Sequence, residues 1–268
     1  MSSFFARSFA SPIQETAAYR VRAYQADAGS RLSIPYLLRL CQETALRNID
    51  RIGFAFTDLA PLGLSWVLLR QYVEVERLPE LGEELYVSTC AGRFERVFTY
   101  RDFRVYTGAG ELLARATSTW MLLDLESRRF AAIPDFIKTI EKDFPPSSEL
   151  LPPRTGKLPP WKKEDESAAA LTFRVGFHHL DWNDHLTNTF YPQWMLEALP
   201  ADRLRGGKLR SLDISFSGEA RLGDRLEAFA APRPQKSGDE PVGSASAAYR
   251  HAVRREGQTL ARMDTEWR

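Results

Sequence analysis

The feature that most limits the fold of this chain is a residue pattern that occurs twice, in the same order, in its two halves. The matched segments include Tyr19 with Phe173, Asp27 with Asp181, Leu32 with Leu186, Tyr36 with Phe190, Glu43 with Glu197, 81–85 with 222–226, and Trp120 with Trp267. The spacing between partners shortens after the first few pairs, which places extra residues of the first copy in 50–64. We therefore predict an internal duplication that produces two similar units.

Each copy has the pattern of one helix followed by several strands. Apolar residues recur at helical spacing in both copies, at Leu37, Leu38, Cys41, Ala45 and Ile49 in the first and at Tyr191, Trp194, Met195, Ala198 and Leu199 in the second. Ser33 is the expected N-cap of the first helix. Strand-rich runs follow at 66–75, 84–90, 97–106 and 112–123, and at 209–216, 225–230, 246–253 and 259–267. The fold class is therefore α+β.

The boundary between the copies is marked by composition. Residues 141–170 hold three pairs of adjacent prolines, which favour extended backbone and remove hydrogen-bond donors. We predict a tail over residues 1–15, a first domain over 16–140, a Pro-rich linker over 141–170 and a second domain over 171–268.

Composition excludes several classes of protein. A net charge of +1 gives no overall field that would attract nucleic acid. Two cysteines are too few for a disulfide framework or a Cys-based zinc site, and neighbouring histidines before a helix rarely face one metal ion. No apolar run approaches the length of a membrane helix, and the first residues make a poor targeting signal. We expect a cytoplasmic protein without a membrane span, cofactor or metal.

The most polar segment of the chain precedes the second-copy helix. It holds Asp181, Asn183, Asp184, His185 and Asn188. Capping of the helix explains one or two of these residues, but it requires neither the Asn nor the His. The first copy has Gly29 and Arg31 at the positions of Asn183 and His185. Because the fold tolerates their loss there, we predict one functional site for the two units.

A second difference between the copies lies ahead of the segment 222–226. Glu219 in the second copy matches Leu78 in the first. A carboxylate where the sister copy has an apolar residue is either a surface substitution or an acid or base placed for chemistry.

The residues of this polar segment resemble the signature of the acyl-acyl-carrier-protein (acyl-ACP) thioesterase family of plants and bacteria. The likeness rests on Asp181-x-Asn183-x-His185-x-x-Asn188 followed by Tyr191 and Trp194. Blocks of the first half agree with it, at residues 64–70 (LSWVLLR), 101–103 (RDF) and 115–129. The resemblance implies two tandem hotdog folds, each a long helix wrapped by an antiparallel sheet, that form an intramolecular pseudo-dimer.

The resemblance also implies an activity and a catalytic set. The activity is hydrolysis of the thioester of fatty acyl-ACP in fatty acid biosynthesis, and the set is Asp181, Asn183, His185 and Glu219. The sequence departs from the plant pattern at Ala220, where those enzymes have a Cys, and at Asp184, where a Gln is usual. A thiol nucleophile at position 220 is therefore excluded.

The chemistry assigns roles to these residues but leaves one choice open. Asn183 can orient the carbonyl or the water without titrating, and His185 can relay a proton. Backbone N–H groups near Asn188 can receive the negative charge that develops on the carbonyl oxygen. Either Asp181 or Glu219 can be the base, and direct attack by Asp181 through an anhydride is a further alternative.

The partner implied by the resemblance is the acidic acyl carrier protein. A basic patch of Arg203, Arg205, Lys208 and Arg210 follows the second helix and is a candidate docking surface. Acyl-chain contacts are expected at Asn188, Trp66 and Leu38, the latter two in a first-domain pocket. Oligomeric state is left open, and a homodimer is compatible with the sequence.

Three rival functions stand beside this interpretation. A hotdog hydratase or dehydratase is the nearest, but its Asp-x-Asn-Pro-x-His pattern has a Pro and one more residue before the His, which Asn183-Asp184-His185 lacks. An acyl-coenzyme A thioesterase is harder to separate. A non-catalytic acyl or lipid-binding module would have no need of the polar set.

Overall fold

The computed structural model describes residues 11–162, 170–233 and 247–268. The chain divides into two compact units, one up to Arg154 and one from Thr155 onwards. The division lies within the segment 141–170 that was predicted as a linker. Most of the predicted tail lies outside the described residues, but the first strand already begins at Gln14, ahead of the predicted domain start at residue 16.

The first unit is a helix packed on an antiparallel sheet. Its elements are β1 (Gln14–Arg20), α1 (Ile34–Arg51), α2 (Phe56–Leu59), β2 (Leu64–Val75), β3 (Glu84–Glu95), β4 (Phe98–Thr107), β5 (Leu112–Asp124), β6 (Phe130–Ala131) and α3 (Asp135–Lys138). The strand order is β1-β3-β4-β5-β2, with β6 paired to β5. The buried stripe of α1 includes the predicted Leu37, Leu38 and Cys41, and α1 contacts β1 and β3.

The second unit repeats this plan in a shorter form. Its elements are β7 (Ala170–Arg174), α4 (Phe190–Glu197), α5 (Ala201–Gly206), β8 (Leu209–Phe216), β9 (Arg225–Pro232), β10 (Ala247–Arg255) and β11 (Gln258–Trp267). The strand order is β8-β11-β10-β9-β7. Where α1 runs without interruption, the second copy has Pro200, which cannot continue a helix, so two short helices form instead of one.

Hydrogen bonds confirm the predicted duplication. Trp120 Nε1 donates to Ser118 Oγ at 2.8 Å in the first unit, and Trp267 Nε1 donates to Thr265 Oγ1 at 2.9 Å in the second. The extra residues of the first copy form α2 and the turn after it, between α1 and β2, as expected for an insertion in 50–64. Ser33 occupies the predicted N-cap of α1, although its side chain makes no capping hydrogen bond.

The predicted linker is bound to the units rather than a free connector. The buried Asp102 carboxylate accepts a hydrogen bond from Leu151 N at 2.7 Å, and Arg104 donates to the carbonyl of Glu149 at 2.6 Å, both within the first unit. Within the second unit, Arg262 donates to the carbonyl of Leu158 at 3.0 Å. Residues 163–169 of the linker lie outside the described residues. Within the described ranges, no helix is long and apolar enough to cross a membrane.

Candidate active site

The predicted signature forms a tight loop ahead of α4. Oδ1 of Asp181 accepts hydrogen bonds from the backbone N of Asn183 at 2.8 Å and of His185 at 3.3 Å. The Asp181 N–H donates to the carbonyl of His185 at 2.8 Å, which closes the loop. Asp184 has φ of 58°, a left-handed conformation that Asp adopts more readily than most residues. The carboxylate at 181 therefore shapes the loop that presents Asn183 and His185.

The first unit contains the same loop with other side chains. Oδ1 of Asp27 accepts from the N of Gly29 at 2.8 Å and of Arg31 at 3.1 Å. The Asp27 N–H donates to the carbonyl of Arg31 at 2.7 Å, and Ser30 has φ of 59°. The backbone of the loop is thus a shared structure, and Asn183 and His185 are particular to the second unit.

Glu219 lies in an extended segment just beyond β8. Gly218 N donates to the carbonyl of Leu260 at 3.1 Å, and a Cβ at residue 218 would approach Leu260 Cδ2 to 2.7 Å, so a larger residue there would require the Leu260 side chain to shift. Leu186 N donates to the carbonyl of Ala220 at 2.8 Å. This bond joins the loop to the segment that carries Glu219.

The resulting contact brings His185 and Glu219 together. Nε2 of His185 lies 3.3 Å from Oε2 of Glu219, an ion-pair distance without the geometry of a hydrogen bond. Nε2 is shielded from solvent, and 16% of the His185 side chain is exposed against 38% of the Glu219 side chain. Glu219 is therefore the more exposed member of the pair.

Two residues to which the sequence assigned no role donate hydrogen bonds to the segment that carries Glu219. The hydroxyl of the buried Tyr191 donates to the carbonyl of Gly218 at 3.5 Å, and burial raises the pKa of Tyr191 well above its ordinary value, so the hydroxyl keeps its proton. Arg255 donates to the carbonyl of Glu219 at 3.4 Å and to Asp224 at 2.6 Å. The Arg255 contacts cross from β10 to a distant segment, and no sequence spacing signals them.

The neighbouring histidine has a structural role. Nδ1 of His179 accepts from the N of Gly176 at 3.0 Å, and its ring packs against Phe190 and Trp194. Gln25 fills the equivalent place in the first unit, where it accepts from the N of Arg22 at 2.8 Å. Among the residues that the structure describes, no three His, Cys, Asp or Glu side chains form a group that could hold a metal ion.

The other predicted contact residues lie in different settings. Asn188 is in the turn before α4 and is partly buried. Leu38 is buried on α1, and Trp66 packs on the cluster of Leu59 and Leu122 while its Nε1 donates to the carbonyl of Phe54 at 3.1 Å. Contact of these three residues with an acyl chain stays a prediction.

The two cysteines and the basic patch complete the predicted set. Cys41 and Cys90 are free and buried, and burial raises the pKa of Cys41 to about 12, which suits a core residue rather than a thiolate nucleophile. The basic patch consists of Arg203 and Arg205 on α5, Lys208 after it and Arg210 on β8. All of these except Arg203, which is partly buried, are exposed.

Comparison with known proteins identifies similar chains. Residues 14–140 match the sequence profile of the acyl-ACP thioesterase N-terminal domain, and residues 162–268 match that of the acyl-ACP thioesterase C-terminal domain. A palmitoyl-acyl carrier protein thioesterase of Cuphea hookeriana, described as chloroplastic, is 30% identical over 93% of this chain. A chloroplastic acyl-[acyl-carrier-protein] hydrolase of Cuphea viscosissima is 28% identical over the same share. The chain spans 61% of the length of each of these two relatives.

Solved structures share the fold. A 12:0-ACP thioesterase from Umbellularia californica superposes with a TM-score of 0.80 at 24% identity, covering 96% of this chain and 94% of that one. An acyl-ACP thioesterase from Bacteroides thetaiotaomicron gives 0.78 at 20% identity, covering 95% and 98%. These likenesses confirm that each unit has the hotdog fold predicted from the sequence.

Proposed function

Because the chain belongs to the acyl-ACP thioesterase family, we propose that it hydrolyses the thioester of fatty acyl-ACP to a free fatty acid and the carrier thiol. The observation that carries the proposal is the contact of His185 with Glu219 at 3.3 Å, at two positions where the first unit has Arg31 and Leu78. A structural role alone would not need this pair, since the first unit keeps the same backbone without it.

The reaction can be written with the groups of the second unit. A water molecule gives a proton to a carboxylate of the site while its oxygen bonds to the thioester carbonyl carbon, and the C=O electron pair moves onto the carbonyl oxygen. Backbone N–H groups near Asn188 and the amide of Asn183 stabilise that oxygen. The C=O bond then re-forms, the C–S bond breaks, and the thiolate leaves and takes up the proton that His185 relays. A thiol pKa of about 8.5 makes this departure easy.

The carrier is proposed to be acyl carrier protein rather than coenzyme A. The support is that the relatives named above are described as acting on acyl-ACP. A panel of acyl-ACP and acyl-coenzyme A substrates from medium to long chains, with release of free thiol as the measurement, tests reaction, carrier and chain length together. We expect higher kcat/KM on acyl-ACP. Tight binding without thiol release would instead support a binding module, and hydration of an enoyl thioester would support a hydratase.

The basic patch is proposed to dock the acidic carrier. Since steering by charge clusters changes association rates by about 10- to 10³-fold, Arg205→Glu together with Arg203→Glu should raise KM for acyl-ACP roughly tenfold at low salt and leave kcat unchanged. Steady-state kinetics at low and high salt measure the effect, which should shrink as salt rises.

The matched control for this prediction is Arg96→Glu, a charge reversal at an exposed turn residue of the first unit. We expect Arg205→Glu alone to raise KM more than Arg96→Glu does. Equal effects of the two single reversals, or a KM insensitive to salt, would contradict the docking role.

Location is proposed from the cysteines, and assembly from the sequence. Both cysteines are free and buried, in keeping with a reducing compartment, so we propose that the enzyme acts in the cytoplasm. Cell fractionation tests the location, and light scattering of the purified protein tests the homodimer that the sequence permits.

A further inference from the structure

The two units share an aspartate whose Oδ1 accepts the same backbone hydrogen bonds in each. In the first unit Asp27 Oδ2 also lies 3.8 Å from the Arg31 guanidinium, an ion pair of partly exposed side chains. Asp181 and Asp27 each accept from the backbone N two residues and four residues ahead, and each closes its loop with an N–H bond to the carbonyl four residues ahead. The bond lengths differ between the units by 0.2 Å or less, and both loops place a left-handed residue at the same point. The carboxylate is therefore part of the shared loop structure.

In the first unit the two residues that match His185 and Glu219 are replaced. Arg31 stands where the second unit has His185, and Leu78 stands where it has Glu219. Asp27 therefore lacks the histidine and the second carboxylate that the proposed reaction uses in the second unit. The fold nevertheless retains the aspartate and all of its hydrogen bonds. The two aspartates share their hydrogen bonds to the loop backbone, but they do not share the neighbouring catalytic side chains.

We propose that Asp181 is a positioning residue that sets the loop for His185 and Asn183, and that Glu219 is the base that activates water. This assignment rests on the proposed function of the site. It decides between the alternatives that the sequence leaves open, and it removes the anhydride route through Asp181.

Accessibility supports Glu219 in that role. The Glu219 side chain is more than a third exposed, whereas Nε2 of His185 is shielded from solvent. Water therefore has easier access to Glu219 than to Nε2 of His185. The water proton moves to Glu219 as the water oxygen bonds to the thioester carbon, and it passes through His185 to the leaving thiolate when the C–S bond breaks. No other reactant is required.

The two roles of a carboxylate respond differently to its amide. Accepting backbone hydrogen bonds needs only an oxygen with lone pairs, which Asn supplies. Acting as a base or nucleophile needs the negative charge, which Asn lacks. Asp181→Asn should therefore keep the loop and the activity, while Asp181→Ala should lose both.

The experiment compares Asp181→Asn, Asp181→Ala and Glu219→Gln on acyl-ACP. Because a charge-assisted hydrogen bond is about twice as strong as a neutral one, we expect Asp181→Asn to lower kcat by no more than about tenfold. We expect Asp181→Ala and Glu219→Gln each to lower kcat by about 10²-fold or more. The profile of kcat/KM against pH should keep its acidic limb in Asp181→Asn and lose it in Glu219→Gln.

Asp27→Ala and Asp27→Asn are the matched controls for folding. Asp27→Ala should lower the melting temperature about as much as Asp181→Ala does, yet leave turnover in place, and both Asn variants should melt near the wild type. An active wild type with Asp181→Asn as inactive as Asp181→Ala, or an Asp181→Asn protein that fails to fold, would overturn the positioning role. A wild type inactive on every acyl thioester would instead contradict the proposed function.

Discussion

Replacing His185 with alanine is expected to lower kcat on acyl-ACP by about 10²- to 10⁴-fold, the usual contribution of a general acid–base residue. The imidazole lies 3.3 Å from the Glu219 carboxylate, and in the proposed reaction it passes a proton on to the leaving sulfur. The fold should be unchanged because the loop bonds around residue 185 are made by its backbone and by Asp181. Thiol release and thermal unfolding measure the two effects separately.

The matched control is Arg31→Ala, which truncates the side chain at the same position of the first-unit loop. We expect its turnover to equal that of the wild type. If His185 and Glu219 act as a unit, the double variant His185→Ala/Glu219→Gln should be little slower than the slower single variant, because residues of one catalytic group are not additive. Near-normal turnover of His185→Ala would show that the site lies elsewhere.

The second large effect concerns the stability of the second unit, where a buried histidine joins the helix to the sheet. Trp267 Nε1 donates to Thr265 Oγ1, the Thr265 hydroxyl donates to His251 Nε2 at 2.9 Å, and His251 Nδ1 donates to the carbonyl of Met195 on α4 at 3.1 Å. This chain of bonds requires the neutral ring, and burial lowers the pKa of His251 from 6.5 to about 3.

The pH dependence follows from that lowered pKa. Below pH 6.5 the unfolded chain binds a proton at residue 251 that the folded chain does not, so acid favours unfolding. The contribution of His251 is fully present above pH 6.5 and decreases by about 1.4 kcal/mol per pH unit as the pH falls towards 3. Urea unfolding at pH 7, 6 and 5 measures it.

The variant that isolates this effect is His251→Phe, which keeps a ring but loses both hydrogen bonds. It should lower the free energy of unfolding at pH 7 by roughly 2–4 kcal/mol, because buried partners on Thr265 and Met195 are left unsatisfied. Between pH 7 and 5 it should lose less stability than the wild type. Thr265→Ser keeps the hydroxyl and serves as the control, with an expected loss of about 1 kcal/mol for the buried methyl group. Equal pH slopes for wild type and His251→Phe would contradict the buried neutral histidine.

The local elements of the fold were predictable because their signals lie in short stretches of sequence. The predicted strand over 209–216 coincides with β8, and the predicted helical stripe of the first copy lies on the buried face of α1. The pattern differences that singled out His185 and Glu219 also identified two side chains that are in contact. Comparison of the copies was decisive there, since it separated the residues that the fold requires from those that it does not.

What could not be predicted depends on contacts between distant segments. The bond from Leu186 to Ala220 and the support of Glu219 by Arg255 join parts of the chain whose spacing carries no signal. The hydrogen bonds of His251 could not be predicted, because a histidine in a strand can lie on either face of the sheet. Paired prolines indicated extended backbone in 141–170, but not that the buried Asp102 would bind Leu151.

The loop that both units share has one backbone conformation that accommodates different side chains. The aspartate and the left-handed residue are common to both loops. The side chains that differ are at two positions of the loop and at one position of the opposite segment. A Cβ at Gly29 would lie 3.1 Å from the Arg31 guanidinium and 3.2 Å from Asp27 Oδ1, and the first of these tight contacts is removed once Arg31 is itself exchanged. Gly29→Asn, Arg31→His and Leu78→Glu would therefore give the first unit the same side chains as the second, so that one chain could carry two active sites.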